Sequence, residues 1–264
     1  MRILGIDTAT STASVALLEN GTVVAEEVHP KRSDKRPVER ALPKSNHAEV
    51  ILPLIAAALQ RAEIGLDDVA GIALSIGPGS FTGVRIGLST VKGIAYGTRI
   101  PTVGISTLHA TAGRVTDFDG LICSVLDARK NEVYAALYRK KGAFFERLTQ
   151  DALLPMAALL ERIRLLPESA SCLFVGEGAA VHREMIESSS LPDSRIAAEA
   201  GMCSVAAAVA RLSEAKFVYT DVVAAAQLAP IYLRRPECEM RQQVPPNSLK
   251  SMGLTYVDKD SAVR

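Results

Sequence analysis

The chain opens with three short apolar runs separated by polar turns. Arg2 to Thr8 is apolar until Asp7, near its end. A Thr/Ser turn follows to Thr12, and Ser14 to Glu19 and Thr22 to Val28 form two further runs. Asn20-Gly21 between the last two is the strongest short hairpin signal. This opening predicts three antiparallel strands, not the strand–helix–strand start of a dinucleotide fold. The pattern returns later. Gly120 to Leu126 is an apolar run closed by Asp127, Val133 to Tyr138 a second, and Ala143 to Thr149 a third after the tight turn Lys140-Lys141-Gly142. A repeat of this kind predicts two related lobes with their first-strand turns facing each other.

Between the two copies the pattern turns helical. Asn46 is expected to cap a helix that reaches about Glu63, with Glu49 three residues later close to a capping box and Pro53 near enough to the start to be tolerated. From Val50 to Leu59 every residue is apolar or proline. A one-sided surface helix carries polar residues every third or fourth place. This one is expected to be buried on two sides, by its own lobe and by a partner chain. Gly71 to Ile76 reads as a buried strand, the glycines around Pro78 as a turn, and Ser80 onward as a second helix. Small residues at Ser80, Gly83, Gly87 and Thr90 form a stripe on that helix. Each glycine costs a helix about 1 kcal/mol against alanine, so the stripe predicts close approach by another backbone. Arg85, Lys92 and Arg99 recur every seven residues on a different face, and the Arg85 and Lys92 face is expected to be free for polar contacts.

The remaining elements are shorter. Pro101 to Ile105 and Cys172 to Val175 read as strands, and Gly176-Glu177-Gly178 as a turn. Met156 to Leu165, Ala179 to Ser188 and the alanine-rich Met202 to Ala215 read as helices. Leu228 to Leu233 is an apolar segment. The organisation predicted is a first lobe over 1–104, a second over 105–235 and a mobile tail over 236–264.

Composition adds bounds. The chain has 264 residues, 48% hydrophobic and 22% charged, with net charge +1. This is an ordinary soluble balance that announces neither nucleic acid nor membrane. No run of about 18 apolar residues is present. No export signal is read, so Cys123, Cys172, Cys203 and Cys238 are expected as free thiols in a reducing cytoplasm. One local charge excess stands out. Between Pro30 and Ser45, Lys31, Arg32, Lys35, Arg36, Arg40 and Lys44 face only Asp34 and Glu39, which reads as a solvated loop or a contact to RNA or another anion.

The chemistry is narrowed mostly by what fails to fit. The third glycine of a dinucleotide fingerprint would fall on Thr82, no Gly-Lys-Ser/Thr follows, and a nucleophile elbow at Ser80 would need glycine where Pro78 and Thr82 stand. His29, His47, His109 and His182 make no helical metal pair, and His47 with Glu49 reads as a helix start. Asp7 and Asp127 can hold a metal–phosphate or a proton, or can serve as turn acceptors. A cleft between duplicated lobes is where a ligand would sit. The candidate anion or cleft set is Asp7, Thr8, Thr10, Gly79, Ser80, Arg85, Asp127 and Arg129.

Several segments resemble one family. They are Ile6 to Thr10, His47-Ala48-Glu49 with Ile51-Leu52-Pro53, Gly77 to Gly87, Ser106-Thr107-Leu108, Asp127-Ala128-Arg129 with Glu132-Val133-Tyr134, and Ile231 to Arg234. Together they resemble the TsaB family, also called YeaZ, from Met1 to about Arg235. The resemblance implies an α/β, actin-like (ASKHA, ribonuclease H-like) fold of two duplicated lobes. It implies a part in N6-threonylcarbamoylation of the adenosine beside the anticodon in ANN-decoding tRNAs, as a non-catalytic cytoplasmic subunit. It implies a TsaD-type catalytic partner, a TsaE-type ATPase in the full complex, a homodimer when alone, and tRNA reached through the complex. No cofactor is expected on this chain, while ATP or ADP and a metal ion are expected on the partners. Family pairing runs through the two first-lobe helices. That places His47, Val50, Ile51, Leu54, Ile55, Ala58, Ser80, Gly83, Val84, Gly87, Thr90, Val91 and Ile94 at the partner interface. TsaD-type proteins carry a His-x-x-x-His pair on the first helix, whereas here position 51 is Ile. A metal-dependent peptidase or an actin-like ATP-binding enzyme is the alternative class.

Overall fold

The computed structural model describes residues 1–30, 46–142, 144–166, 171–199, 202–218 and 225–234. The basic residues between 31 and 45, Cys238 and the tail from 236 lie outside the described residues.

The opening forms as its pattern predicts. Strands β1 (Arg2–Asp7), β2 (Ala13–Glu19) and β3 (Thr22–His29) run antiparallel in sequence. Asn20 and Gly21 both take positive φ, 48° and 82°, as a two-residue hairpin of matching twist requires. Helix α1 (His47–Arg61) follows, then β4 (Gly71–Ser75), α2 (Phe81–Thr98) and β5 (Thr102–Ile105). The first sheet has the order β3-β2-β1-β4-β5, with β4 and β5 parallel to β1. Strands β1 and β4 are buried along almost their whole length, which is why they read as continuous apolar runs.

Helix α3 (Thr107–Gly113) leads into the second sheet. That sheet is built from β6 (Gly120–Asp127), β7 (Glu132–Lys141), β8 (Phe144–Arg147) and β9 (Ala152–Pro155). After α4 (Met156–Arg164) come β10 (Cys172–Val175), α5 (Glu177–Val181), α6 (Arg183–Glu187) and β11 (Ser194–Ile196). Its order is β11-β10-β6-β7-β8, with β9 also on β7. Read from β8, this repeats the first sheet: three antiparallel strands, then two parallel ones. Two such lobes make the chain an α/β protein of actin-like, ribonuclease H-like architecture. The expected helix over 179–188 is two short helices meeting at His182, and Glu177 belongs to the first of them, not to a turn.

The lobes exchange helices. Helix α3 packs its Leu108 and Ala112 on the second sheet, with Ile122, Leu126, Tyr138 and Val175. Helix α7 (Val205–Val218) packs back on the first sheet through Val205, Ala208 and Val209 against Ile3, Ala73 and Val103. Its alanines permit that closeness: a Cβ on Gly5 would lie 2.2 Å from the Ala206 carbonyl oxygen. The sequence boundary that gave all of 105–235 to a second lobe therefore misplaces α7. It misplaces the segment 225–233 as well, since Leu228 is buried in the first-lobe core.

On its other face the first sheet carries α1 and α2 side by side. Ile51, Ile55 and Ala58 from α1 and Val84, Leu88 and Val91 from α2 meet Leu4, Ile6, Val15, Leu17, Ile72 and Leu74. Cys123, Cys172 and Cys203 are free thiols. Burial pushes the Cys123 thiol well up and the Cys172 thiol to about 12, so both stay protonated. No described helix is long and apolar enough to cross a membrane.

Candidate functional site

Asp7 ends β1 fully buried. Its Oδ1 accepts from the Ala9 N–H at 3.1 Å and from the Ser75 hydroxyl, and its Oδ2 accepts from the Thr10 hydroxyl at 2.6 Å. Burial raises the carboxyl above the ordinary aspartate range, while these donors and the nearby His47 pull it back. Asp127 ends β6 and accepts the Arg129 N–H at 2.8 Å. Both aspartates thus act as turn acceptors, but they are not equivalent. Asp7 shares its strand face with Ile3 and Gly5, toward α7, whereas Asp127 shares its face with Cys123 and Val125, toward α4 and α5. The duplicated strand–Asp pattern hides a change of face.

The turn after Asp7 is clamped from two sides. His47 is buried at the start of α1, with Nδ1 3.2 Å from the Thr8 carbonyl oxygen. A carbonyl only accepts, which assigns the proton to Nδ1. His47 Nε2 is buried with no hydrogen-bond partner among the described residues. From α2, the Ser80 N–H donates to the Ala9 carbonyl at 2.8 Å, and the Thr8 hydroxyl donates to the Gly83 carbonyl at 2.8 Å. Ser80 also caps its own helix, accepting from the Gly83 N–H at 3.2 Å. A Cβ on Gly79 would lie 2.3 Å from the Ala9 oxygen, on Gly83 1.9 Å from the Thr8 oxygen, and on Gly87 2.4 Å from Thr8 Oγ1. The predicted close approach is real, and the approaching backbone is the chain's own.

That finding corrects the expected partner face. His47, Ile51, Ile55, Ala58, Gly83, Val84, Gly87 and Val91 are buried within the first lobe. Leu54 and Ile94 are half-buried against the same core, Val50 and Thr90 are half-buried, and Ser80 is exposed. Among the described residues helix α1 is covered on one side, which leaves Leu52, at 57% exposure, Pro53 and Ala56 outward. On α2 the outward residues include Ser89, Gly93, Gly97 and Tyr96, the last 91% exposed. A Cβ at Gly93 or Gly97 would meet nothing within 4 Å among the described residues. These outward positions are a second small-residue row, offset from the one singled out in the sequence. At the start of α1, Asn46 donates its side-chain amide to Glu49 and makes no side-chain cap of its own.

The face of α2 expected to be free is occupied as well. The Arg85 guanidinium lies 3.7 Å from the Phe81 ring centre, and its Nε donates to the Tyr232 hydroxyl at 3.0 Å. Phe81 and Tyr232 pack with ring centres 5.0 Å apart. Lys92 Nζ donates to the Ala226 carbonyl at 3.3 Å, and the Ile231 N–H to the Ile76 carbonyl at 2.8 Å. The segment 225–233 therefore straps α2 and takes up its basic side chains.

Of the cleft set, the structure gathers Asp7, Thr8 and Thr10 at one turn and places Asp127 across from them. Gly79, Ser80 and Arg85 are engaged within the first lobe, and the Arg129 N–H is engaged by Asp127. Two residues given no role in the sequence complete the cleft. Glu177 Oε2 accepts the Ser11 N–H at 3.0 Å, joining the lobes. Burial raises its carboxyl, the Ser11 bonds lower it, and the charges of Asp7 and Asp127 raise it again. His182 is buried with Nε2 4.0 Å from Asp127 Oδ1. The signal for Glu177 was its place just past the C-terminal end of a parallel strand, where α/β clefts are lined. Among the described residues no group of three His, Cys, Asp or Glu side chains is arranged to hold a metal ion.

Comparisons with known proteins agree with this architecture. A family model described as "TsaD: tRNA N6-adenosine threonylcarbamoyltransferase" matches residues 37–246. The tRNA threonylcarbamoyladenosine biosynthesis protein TsaB of Bacillus subtilis is 34% identical over 187 residues, spanning 71% of this chain and 76% of its own length. That of Escherichia coli is 33% identical over 240 residues, spanning 89% and 95%. The structure titled "YeaZ from Pseudomonas aeruginosa" superposes with a TM-score of 0.69 at 27% identity, over 88% of this chain and 99% of that one.

Proposed function

The chain belongs to the TsaB (YeaZ) family, and from that premise we propose that it is a non-catalytic subunit of tRNA threonylcarbamoyladenosine biosynthesis that holds a TsaD-type catalytic partner through the outer faces of α1 and α2. The observation that carries this is the pair Gly93 and Gly97. Each costs α2 about 1 kcal/mol against alanine, and neither has a packing reason among the described residues. A facing helix at an interaxial distance of about 8–10 Å supplies the reason. Leu52 and Tyr96 provide exposed apolar area beside them, of the kind that marks interaction surfaces. The same face serves a homodimer when the partner is absent.

The non-catalytic reading is supported by what the polar groups already do. His47 Nδ1 is spent on Thr8, and Asp7 is spent on Ser75, Thr10 and Ala9. Nucleotide and metal chemistry then belong to the partner and to a TsaE-type ATPase, tRNA is met through the assembled complex, and the complex works in the cytoplasm. Mixing the purified chain with its TsaD-type partner is expected to give a heterodimer by size-exclusion light scattering. Leu52→Asp and Gly93→Leu are expected to abolish it with the fold intact. Normal complex formation by both variants would place the interface elsewhere. Modification of tRNA in a reconstituted system is expected to require the chain, and full activity without it would refute the accessory role.

A further inference from the structure

We propose that Glu177 is an interlobe latch, its carboxylate occupying on the Ser11 amide the place an anionic ligand would take, so that the chain closes its own cleft. The proposal does not depend on the partner reading, since it concerns the isolated chain. The turn between β1 and β2 lies at the C-terminal end of a central strand and at a lobe boundary, where α/β proteins bind ligands. Its amides are the donors such a ligand would use. The Ala9 N–H is taken by Asp7 from within the turn, whereas the Ser11 N–H is taken by Glu177 from the other lobe, 166 residues away.

The cost of holding Glu177 there shows that the contact is specific. Its carboxylate is held half-buried at the lobe boundary and set beside Asp7 and Asp127, two groups of the same sign. A side chain indifferent to its partner would turn outward to solvent. It stays because a hydrogen bond to a charged acceptor is among the stronger ones a fold makes. The same three carboxylates make the closed cleft repel a phosphate. Opening the lobes must break the Ser11–Glu177 bond, so the latch controls both the interlobe angle and access to the turn.

The test uses the full chain, wild type and Glu177→Ala, with Glu177→Gln as an isosteric control that keeps an acceptor oxygen. Amide exchange at Ser11 is followed by NMR, and magnesium–ADP is titrated into the wild type by calorimetry. In the wild type Ser11 is expected to be protected and to give no heat with magnesium–ADP. In Glu177→Ala, exchange at Ser11 is expected to rise roughly ten-fold or more, with Glu177→Gln between the two. A Ser11 amide that exchanges in the wild type as fast as an exposed loop would overturn the latch, whether or not the variants fold. So would unchanged protection in a folded Glu177→Ala protein, or tight magnesium–ADP binding by the wild type.

Discussion

The carbonyl oxygen of Thr8 lies so close over Gly83 that a Cβ built on that glycine would be 1.9 Å from it. Thr8 also donates its hydroxyl to the Gly83 carbonyl, so the turn and the helix grip each other through one residue on each side. Gly83→Ala must therefore push α2 away from β1. A loss of about 1–3 kcal/mol or more in urea unfolding is expected, the range for overpacked cores. Gly93→Ala, ten residues along the same helix, meets none of the described residues and is expected to stabilise the isolated chain by up to about 1 kcal/mol. Equal effects at the two sites would mean that the two small-residue rows are not distinct.

That contrast shows what was legible in the sequence. The three antiparallel strands that open each lobe, the hairpin at Asn20-Gly21 and the start of α2 at Ser80 followed from periodicity and turn chemistry, whereas the cap expected of Asn46 is not made. The presence of a close contact at Gly83 followed from the cost of glycine in a helix. The identity of the contacting backbone did not, because Thr8 is remote in sequence and a glycine stripe carries no address. Arg85 and Lys92 were misread for the same reason: their partners, Tyr232 and Ala226, lie more than 130 residues away. Glu177 was passed over because a single acidic residue in a turn is commonplace until the other lobe's Ser11 is placed against it. Helix α7 was given to the wrong lobe because exchange of helices between lobes leaves no trace in local pattern.

Asp7 gathers three donors, so its substitutions should separate bonding from charge. Asp7→Ala leaves the Ser75 and Thr10 hydroxyls and the Ala9 N–H without their acceptor and is expected to cost about 2–4 kcal/mol. Asp7→Asn keeps one acceptor oxygen and removes a buried charge whose pKa burial has raised. It is expected to cost clearly less. Chemical denaturation of both variants at neutral pH is the measurement, and an asparagine variant as unstable as the alanine one would contradict this account.

Tyr232 ties the segment 225–233 to α2. Tyr232→Ala removes the hydroxyl bond to Arg85 and the ring contact with Phe81. Because the site is partly exposed, a modest loss of about 1–2 kcal/mol is expected. Leu228 is buried in the first-lobe core, and Leu228→Ala should cost more, about 2–4 kcal/mol. If the strap is an independent unit, the Tyr232 change will also speed proteolytic cleavage within 225–234 with little effect on the rest of the chain. Cleavage of the intact protein at the same rate would show that the strap is not held by this residue.

His109 gives the chain a pH dependence whose sign is fixed by its surroundings. Its ring packs against Tyr138 and Phe145, with centres 5.4 and 5.6 Å away, and those two rings also pack on each other at 5.3 Å. Burial, with Arg147 and Lys216 adding to it, lowers its pKa from 6.5 to about 4. The unfolded chain therefore binds a proton between those values that the folded chain refuses. This penalty is absent above about pH 6.5 and grows as pH falls toward 4, to an upper bound of about 3 kcal/mol. Asp7, Asp151 and Glu177, whose carboxyls are raised mainly by burial, act oppositely and favour the folded state as pH falls. Comparing the wild type with His109→Phe separates the two, since the carboxylates are common to both and phenylalanine keeps the stack without titrating. Urea unfolding at pH 7, 6 and 5 is expected to show the variant gaining on the wild type with each step toward acid. Parallel curves over that range would mean that His109 is protonated in the folded protein as readily as in the unfolded chain.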